Sequence, residues 1–102
     1  MDEARPLYPQ MRRHLLDLFD AYKAATGRSE ISIAVKVCNG GKDFFRDLRR
    51  YRLGLMVSSF DRCIANFSDA WPADLPWPEG CPRFSRDDLA AANAQDYPAA
   101  AE

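Results

Sequence analysis

The run Asn39-Gly40-Gly41 separates two short segments, each with apolar residues at helical spacing. Asn and Gly tolerate the positive φ that a sharp turn needs, so this run is expected to end one helix before the next begins. The apolar positions are Ile31, Ile33, Ala34 and Val37 before the run and Phe44, Phe45 and Leu48 after it. The spacing predicts a helix from Glu30 to about Cys38, a tight turn, and a second helix at about residues 42–51.

Two longer amphipathic patterns flank this pair. The first covers residues 9–26 and is bounded by Gly27, and the second covers residues 58–70. Their apolar stripes are Met11, Leu15, Leu18, Phe19 and Tyr22 in the first, and Phe60, Cys63, Ile64 and Phe67 in the second. Ser58 with Asp61 is a variant of the capping box, which predicts the start of the later helix. Four helices are therefore expected before the C-terminal third of the chain.

The stretch from Trp71 to Arg86 holds four of the seven prolines and both tryptophans. Proline breaks helices and sheet ladders, while tryptophans bury a large apolar area, so this stretch is expected to pack over the helices as an extended strap. The sequence thus predicts a compact all-α domain of four to five helices. Its parts are a flexible lead-in (residues 1–8), the helical domain (9–71), the Pro/Trp-rich strap (72–86) and a flexible acidic, Ala-rich tail (87–102).

Positive charge is concentrated around the predicted helix pair, although the whole chain has a net charge of −1. Residues 28–52 carry seven basic and three acidic side chains, whereas residues 57–102 carry three basic and eight acidic ones. A local cluster of this kind is typical of a surface that binds a polyanion. A helix with phenylalanines on one side and arginines on the other suits insertion into the major groove of DNA.

Several other classes of protein are disfavoured by the sequence. No apolar run approaches the roughly 18 residues of a membrane span, and the N-terminus begins with two acidic residues rather than a secretory signal. The three cysteines are widely spaced, which predicts reduced thiols and a cytoplasmic location rather than disulfides or a zinc site. We expect no metal and no cofactor.

Enzymatic activity is not expected either. The chain has a single His and no phosphate-cradling Gly-rich loop after a strand, no Cys/His ligand spacing and no Ser elbow. Asp43 and Asp47 are spaced at i and i+4, but their neighbours Arg46 and Arg50 indicate ion pairs on a helix surface.

The motifs extend over about residues 10–71. They are Ala25-Thr26-Gly27 at the end of the first helix, a helix led by Ser29, the turn at 39–41, Asp47-Leu48-Arg49 in the next helix, and a closing helix capped by Ser58. In this order the elements resemble the helix-turn-helix domains of the lambda-repressor/Cro-like class, of the phage-related or bacterial regulator type. The chain departs from that pattern at Cys38, where such domains usually have Gly, and its turn is one or two residues longer.

The resemblance implies a sequence-specific DNA-binding transcriptional regulator. It implies that the base-reading residues are Gly41, Lys42, Asp43 and Arg46. It implies that the residues binding DNA phosphates are Ser29, Ser32, Lys36, Arg49, Arg50 and Arg52.

Two further expectations concern partners. One short recognition helix reads few base pairs, so a homodimer on double-stranded DNA is expected. Residues 53–57 and 71–84 are the candidate surfaces for a second copy or another protein. The alternative function is a small helical protein–protein interaction module, either an adaptor or an inhibitor of a regulator.

Overall fold

The computed structural model describes residues 7–50, 55 and 57–96, and these residues form helices and no strands. The helices are α1 (Leu7–Thr26), α2 (Glu30–Ser32), a π-helical continuation of α2 (Ile33–Val37), α3 (Phe44–Arg49), α4 (Val57–Ala70) and α5 (Arg86–Asp96). We call α2 and its continuation the second helical segment. The predicted all-helical class is confirmed, with five α-helices in the part of the chain that the structure describes.

The first helix begins two residues before the predicted start at Pro9. Pro9 is the third residue of α1, where its missing N–H costs nothing because first-turn N–H groups have no partner within the helix. The helix ends as predicted. Gly27 adopts φ 72°, and its N–H donates to the carbonyl of Lys23 at 2.9 Å.

The second helical segment begins at the predicted cap. The Ser29 hydroxyl accepts a hydrogen bond from the N–H of Ser32 at 3.1 Å. The segment then changes from α-helical to π-helical geometry. The N–H of Cys38 donates to the carbonyl of Ile33, five residues back, at 3.0 Å. Asn39 (φ 57°) ends the segment, and it alone among residues 39–41 adopts a positive φ.

The helix α3 is shorter than the predicted 42–51. A turn precedes it, in which the N–H of Phe44 donates to the carbonyl of Gly41 at 3.0 Å. Asp43 occupies the N-cap position with φ −100° and ψ 11°, but its side chain makes no capping hydrogen bond. Helical geometry therefore begins at Phe44, and it ends before Arg50, at φ −93° and ψ 5°.

Aromatic rings form the centre of the core. Phe45 stacks on Phe19 with ring centroids 4.4 Å apart, and Tyr22 meets Phe67 edge to face at 5.7 Å. These contacts join α1 to α3 and to α4. Phe45 and Phe67 are fully buried, so their apolar area contributes strongly to stability.

The helix α4 starts at Val57, so Ser58 lies inside the first turn rather than at the predicted N-cap. After α4, residues 71–85 form neither helix nor strand. The two indole N–H groups in this stretch donate to carbonyls four residues ahead, Trp71 to Leu75 at 2.8 Å and Trp77 to Cys81 at 3.0 Å. The tryptophan rings meet edge to face at 4.9 Å, and Trp77 packs partly buried against the core.

Residues 87–96 were expected in the flexible tail, but they belong to α5. A reciprocal capping box begins this helix: the N–H of Ser85 donates to Asp88, and the N–H of Asp88 donates to the Ser85 hydroxyl, both at 3.0 Å. Asp69 of α4 accepts from the guanidinium Nε of Arg86 at 3.0 Å. The apolar stripe of α5 is weak, so the capping box and this ion pair are its main stabilising contacts. Residues 97–102 lie outside the described residues.

Candidate nucleic-acid interface

The outer side of α3 and the turn before it carry the predicted base-reading residues. Phe45 and Leu48 are fully buried and fix α3 against the core. Lys42, Arg46 and Arg50 are exposed on its outside. Neither Lys42 nor Arg50 pairs with a carboxylate among the described residues.

Arg46 lies between two carboxylates. Its Nη2 is 3.2 Å from Asp43, and its Nε is 3.5 Å from Asp47. These are the helix-surface ion pairs that the sequence indicated for this guanidinium. A guanidinium carries five N–H donors, and the Arg46 side chain is 48% exposed, so donors remain available beyond the two ion pairs.

Arg49 points back into the domain. Its Nη2 lies 2.7 Å from Glu30 of the second helical segment, and its guanidinium lies 5.8 Å from the ring centroid of Phe19. The structure thus uses Arg49 to hold α3 beside the second helical segment.

Most of the other predicted DNA-contacting residues have a different contact or location in the structure. The Ser29 hydroxyl is occupied as the N-cap, and the Ser32 hydroxyl accepts from Arg28 at 3.2 Å. Gly41 is exposed, and open space surrounds the position a Cβ would take. Lys36 lies in a groove away from α3. Arg52 lies outside the described residues, as do residues 53, 54 and 56 of the proposed 53–57 partner surface.

Arg12 of α1 binds the C-terminal carbonyls of α3, a role that the sequence pattern did not indicate. Its Nε donates to the carbonyl of Leu48 at 2.7 Å, and its Nη2 donates to the carbonyl of Arg49 at 2.6 Å. A cation at the C-terminal carbonyls also complements the helix dipole. No sequence signal identifies it, because Arg12 and Arg13 look alike on the polar side of α1.

A second concentration of positive charge lines a groove of about 520 Å³ between the second helical segment and α4. We call it the basic groove. Its charged residues are Arg28, Lys36, Arg62, Arg86 and Asp69, and the end of α1 contributes Tyr22. Sequence reasoning assigned Lys36 to DNA phosphates and missed Arg28 and Arg62, because only packing brings the three together.

Two buried cysteines are chain neighbours of groove-lining residues, Cys38 of Val37 and Cys63 of Arg62. Cys38 and Cys63 are each 1% exposed, and a hydrogen bond between them raises the pKa of Cys38 and lowers that of Cys63. The positive charge of Arg62 lowers both pKa values. Elsewhere, burial raises the pKa of Cys81 to about 11. All three cysteines are free thiols.

Within residues 7–50, 55 and 57–96, no three His, Cys, Asp or Glu side chains come together as ligands for a metal ion. The same residues include no helix with the length and apolarity needed to cross a bilayer. Comparisons with protein-family models, with curated proteins and with solved structures found no match.

Proposed function

We propose that this domain binds double-stranded DNA through the outside of α3 and the preceding turn, and acts as a cytoplasmic transcriptional regulator. The observation that supports the proposal most is the way α3 is held. Phe45 and Leu48 bury one side of α3, while Arg46 is exposed on the helix and Lys42 and Arg50 are exposed beside its two ends.

The restrained position of Arg46 suits base reading. The carboxylates of Asp43 and Asp47 hold the guanidinium by two of its nitrogens. Its other N–H groups can donate to the two acceptors on a guanine edge, and little side-chain entropy is lost on binding. Lys42 and Arg50 have no carboxylate partner among the described residues, so Lys42 is available to donate to a further base edge and Arg50 to bind a phosphate.

The size of α3 implies two copies. Its six residues span about 9 Å, which is less than the width of the major groove and covers few base pairs. A homodimer on two half-sites about one helical turn apart would supply the missing contacts. Val57 is 55% exposed at the end of the predicted 53–57 surface and is available for such a contact.

Fluorescence anisotropy with a pool of random duplexes tests the proposal. Binding is expected at about 50 mM salt and should weaken steeply toward about 200 mM, because bound phosphates release counterions. On a site selected from the pool, Arg46→Ala should weaken binding about 5- to 150-fold, by about 1–3 kcal/mol. The matched control is Arg13→Ala on α1, which removes another exposed arginine and should leave affinity unchanged. No binding at low salt would contradict the proposal.

A second function, protein–protein interaction, is supported by one observation. Ile31 and Val35 are 54% and 44% exposed and are four residues apart on the second helical segment. Sedimentation of wild type and of the double variant Ile31→Ser/Val35→Ser separates the two functions. Self-association lost in the variant would assign the pair to the homodimer. A monomeric wild type that also fails to bind DNA would favour the interaction module.

A further inference from the structure

The basic groove has an unbalanced set of charges. Arg86 is neutralised by Asp69, which accepts from its Nε at 3.0 Å. Lys36 and Arg62 meet no carboxylate in the part of the chain that the structure describes, and there the guanidinium of Arg28 donates only to the neutral Ser32 hydroxyl. Three unneutralised cations therefore line one cavity. Outside the groove, three arginines of the described residues are paired with carboxylates: Arg13, Arg46 and Arg49.

Tyr22 supplies an independent indication that the groove takes a polar ligand. Its ring packs against Phe67 and Trp71, and the residue is only 4% exposed. Its hydroxyl has no hydrogen-bond partner among the described residues. Within those residues, every side-chain N or O atom that is inaccessible to solvent does have a hydrogen-bond partner. The hydroxyl must therefore reach the surface, and the surface that Tyr22 lines is the groove.

The shape and the other lining groups restrict the ligand class. A volume of about 520 Å³ lies within the roughly 300–1,000 Å³ of small-molecule sites. Asn39 and Asn66 add amide donors to the cationic ones. The only carboxylate of the lining is already paired with Arg86, so cations are disfavoured. No residue of α3 lines the groove, and of the turn at residues 39–41 only Asn39 does.

We propose that the basic groove binds a small phosphorylated molecule, with Lys36, Arg62 and Arg28 contacting phosphate oxygens and the Tyr22 hydroxyl donating to the same group. The concave site concentrates positive potential, and a phosphate relieves the repulsion among the three cations. Guanidinium groups contact phosphate bidentately, and the lysine adds a point charge. Bound ligand would also link the second helical segment to α4, because Lys36 and Arg62 come from those two elements. The site is independent of DNA binding by α3.

Inorganic pyrophosphate is the probe for this site, in calorimetric titration and thermal unfolding at constant ionic strength. Saturable binding and a rise in Tm are expected for the wild type, since a ligand of the folded state stabilises it. Lys36→Gln should weaken pyrophosphate binding at least tenfold. Lys23→Gln makes the same change at an exposed lysine of α1 outside the groove and should leave binding unchanged. Tyr22→Phe keeps the packed ring, so a several-fold loss there isolates the hydroxyl.

Three results would overturn the assignment. One is a wild type with no saturable pyrophosphate binding. Another is an equal loss of pyrophosphate affinity in Lys36→Gln and Lys23→Gln, which would mean that only the net charge of the protein matters. The third is loss of duplex DNA binding in Lys36→Gln without any pyrophosphate effect, which would assign the groove to the DNA backbone. If Arg46→Ala does not alter DNA binding, the proposed function is contradicted, but the phosphate site in the basic groove is not.

Discussion

Glu30 and Arg49 meet across the turn that separates the second helical segment from α3, with Oε1 and Nη2 2.7 Å apart. The two positions are nineteen residues apart in the chain. The pair is a direct polar contact between the second helical segment and α3.

Glu30→Gln should lower the free energy of unfolding by about 0.5–1 kcal/mol, since the pair is partly exposed and screened by water. Urea denaturation at low and high salt measures the effect. The loss should shrink as salt rises. A double-mutant cycle with Arg49→Met isolates the interaction, and additive losses would mean that the pair contributes nothing.

Arg12→Ala should cost about 1–2 kcal/mol of stability, because the carbonyls of Leu48 and Arg49 lose a charged donor. Arg13→Ala is the neighbouring control. Arg13 is 79% exposed and lies 3.9 Å from Asp17, so its loss should stay within about 0.5 kcal/mol. Equal costs at the two positions would contradict the role assigned to Arg12.

Asn39 adopts φ 57°, a region that costs a side chain with an ordinary Cβ about 1–2 kcal/mol. Asn39→Ala should therefore destabilise the protein by about 1 kcal/mol, whereas Asn39→Gly should change stability by less than about 0.5 kcal/mol. Thermal unfolding of the two variants side by side makes the comparison. Gly41→Ala should be tolerated, because Gly41 lacks a positive φ and its Cβ position is open.

Ser85→Ala removes one half of the capping box of α5 and should destabilise that helix by about 1 kcal/mol. Amide hydrogen exchange over residues 88–96 is the suitable readout, because α5 can open without unfolding the core. Ser58→Ala is the matched control. Ser58 lies inside the first turn of α4, so Ser58→Ala should leave exchange in α4 unchanged. A comparable loss of protection in α4 would mean that Ser58 is an N-cap after all.

Burial raises the pKa of Cys81 from 9.0 to about 11, so folding disfavours its thiolate. The resulting stability is fully present below pH 9.0 and is lost as the pH rises through about 11. Alkylation by iodoacetamide, followed by peptide mass spectrometry, should therefore keep accelerating beyond pH 9. At pH 8 it should run roughly tenfold slower than in urea, because the smaller thiolate fraction outweighs the greater nucleophilicity. Cys38 and Cys63 should stay protected in the native protein.

Local patterns predicted the elements whose causes are local. Ser29 caps its helix, Gly27 ends α1, and the stripe from Met11 to Tyr22 is buried as its spacing indicated. The capping box of Ser85 and Asp88 was equally readable in the sequence. An Ala-rich segment with no strong apolar stripe is marginal alone, so this cap does not by itself predict a stable helix. The ion pair between Arg86 and Asp69 supplies support from α4 that no local pattern contains.

The sequence by itself determined the helical class, the turn at residues 39–41 and the concentration of basic residues around it, because these depend on spacing and composition. The tertiary structure decided which basic residues stand together. Lys36 and Arg62 line one groove only because the π-helical turn and α4 pack against each other, whereas Arg49 turns inward to Glu30. Helical periodicity fixes the side of a helix on which a residue lies. It leaves open which other helix that side will meet, since this depends on the packing of the whole core.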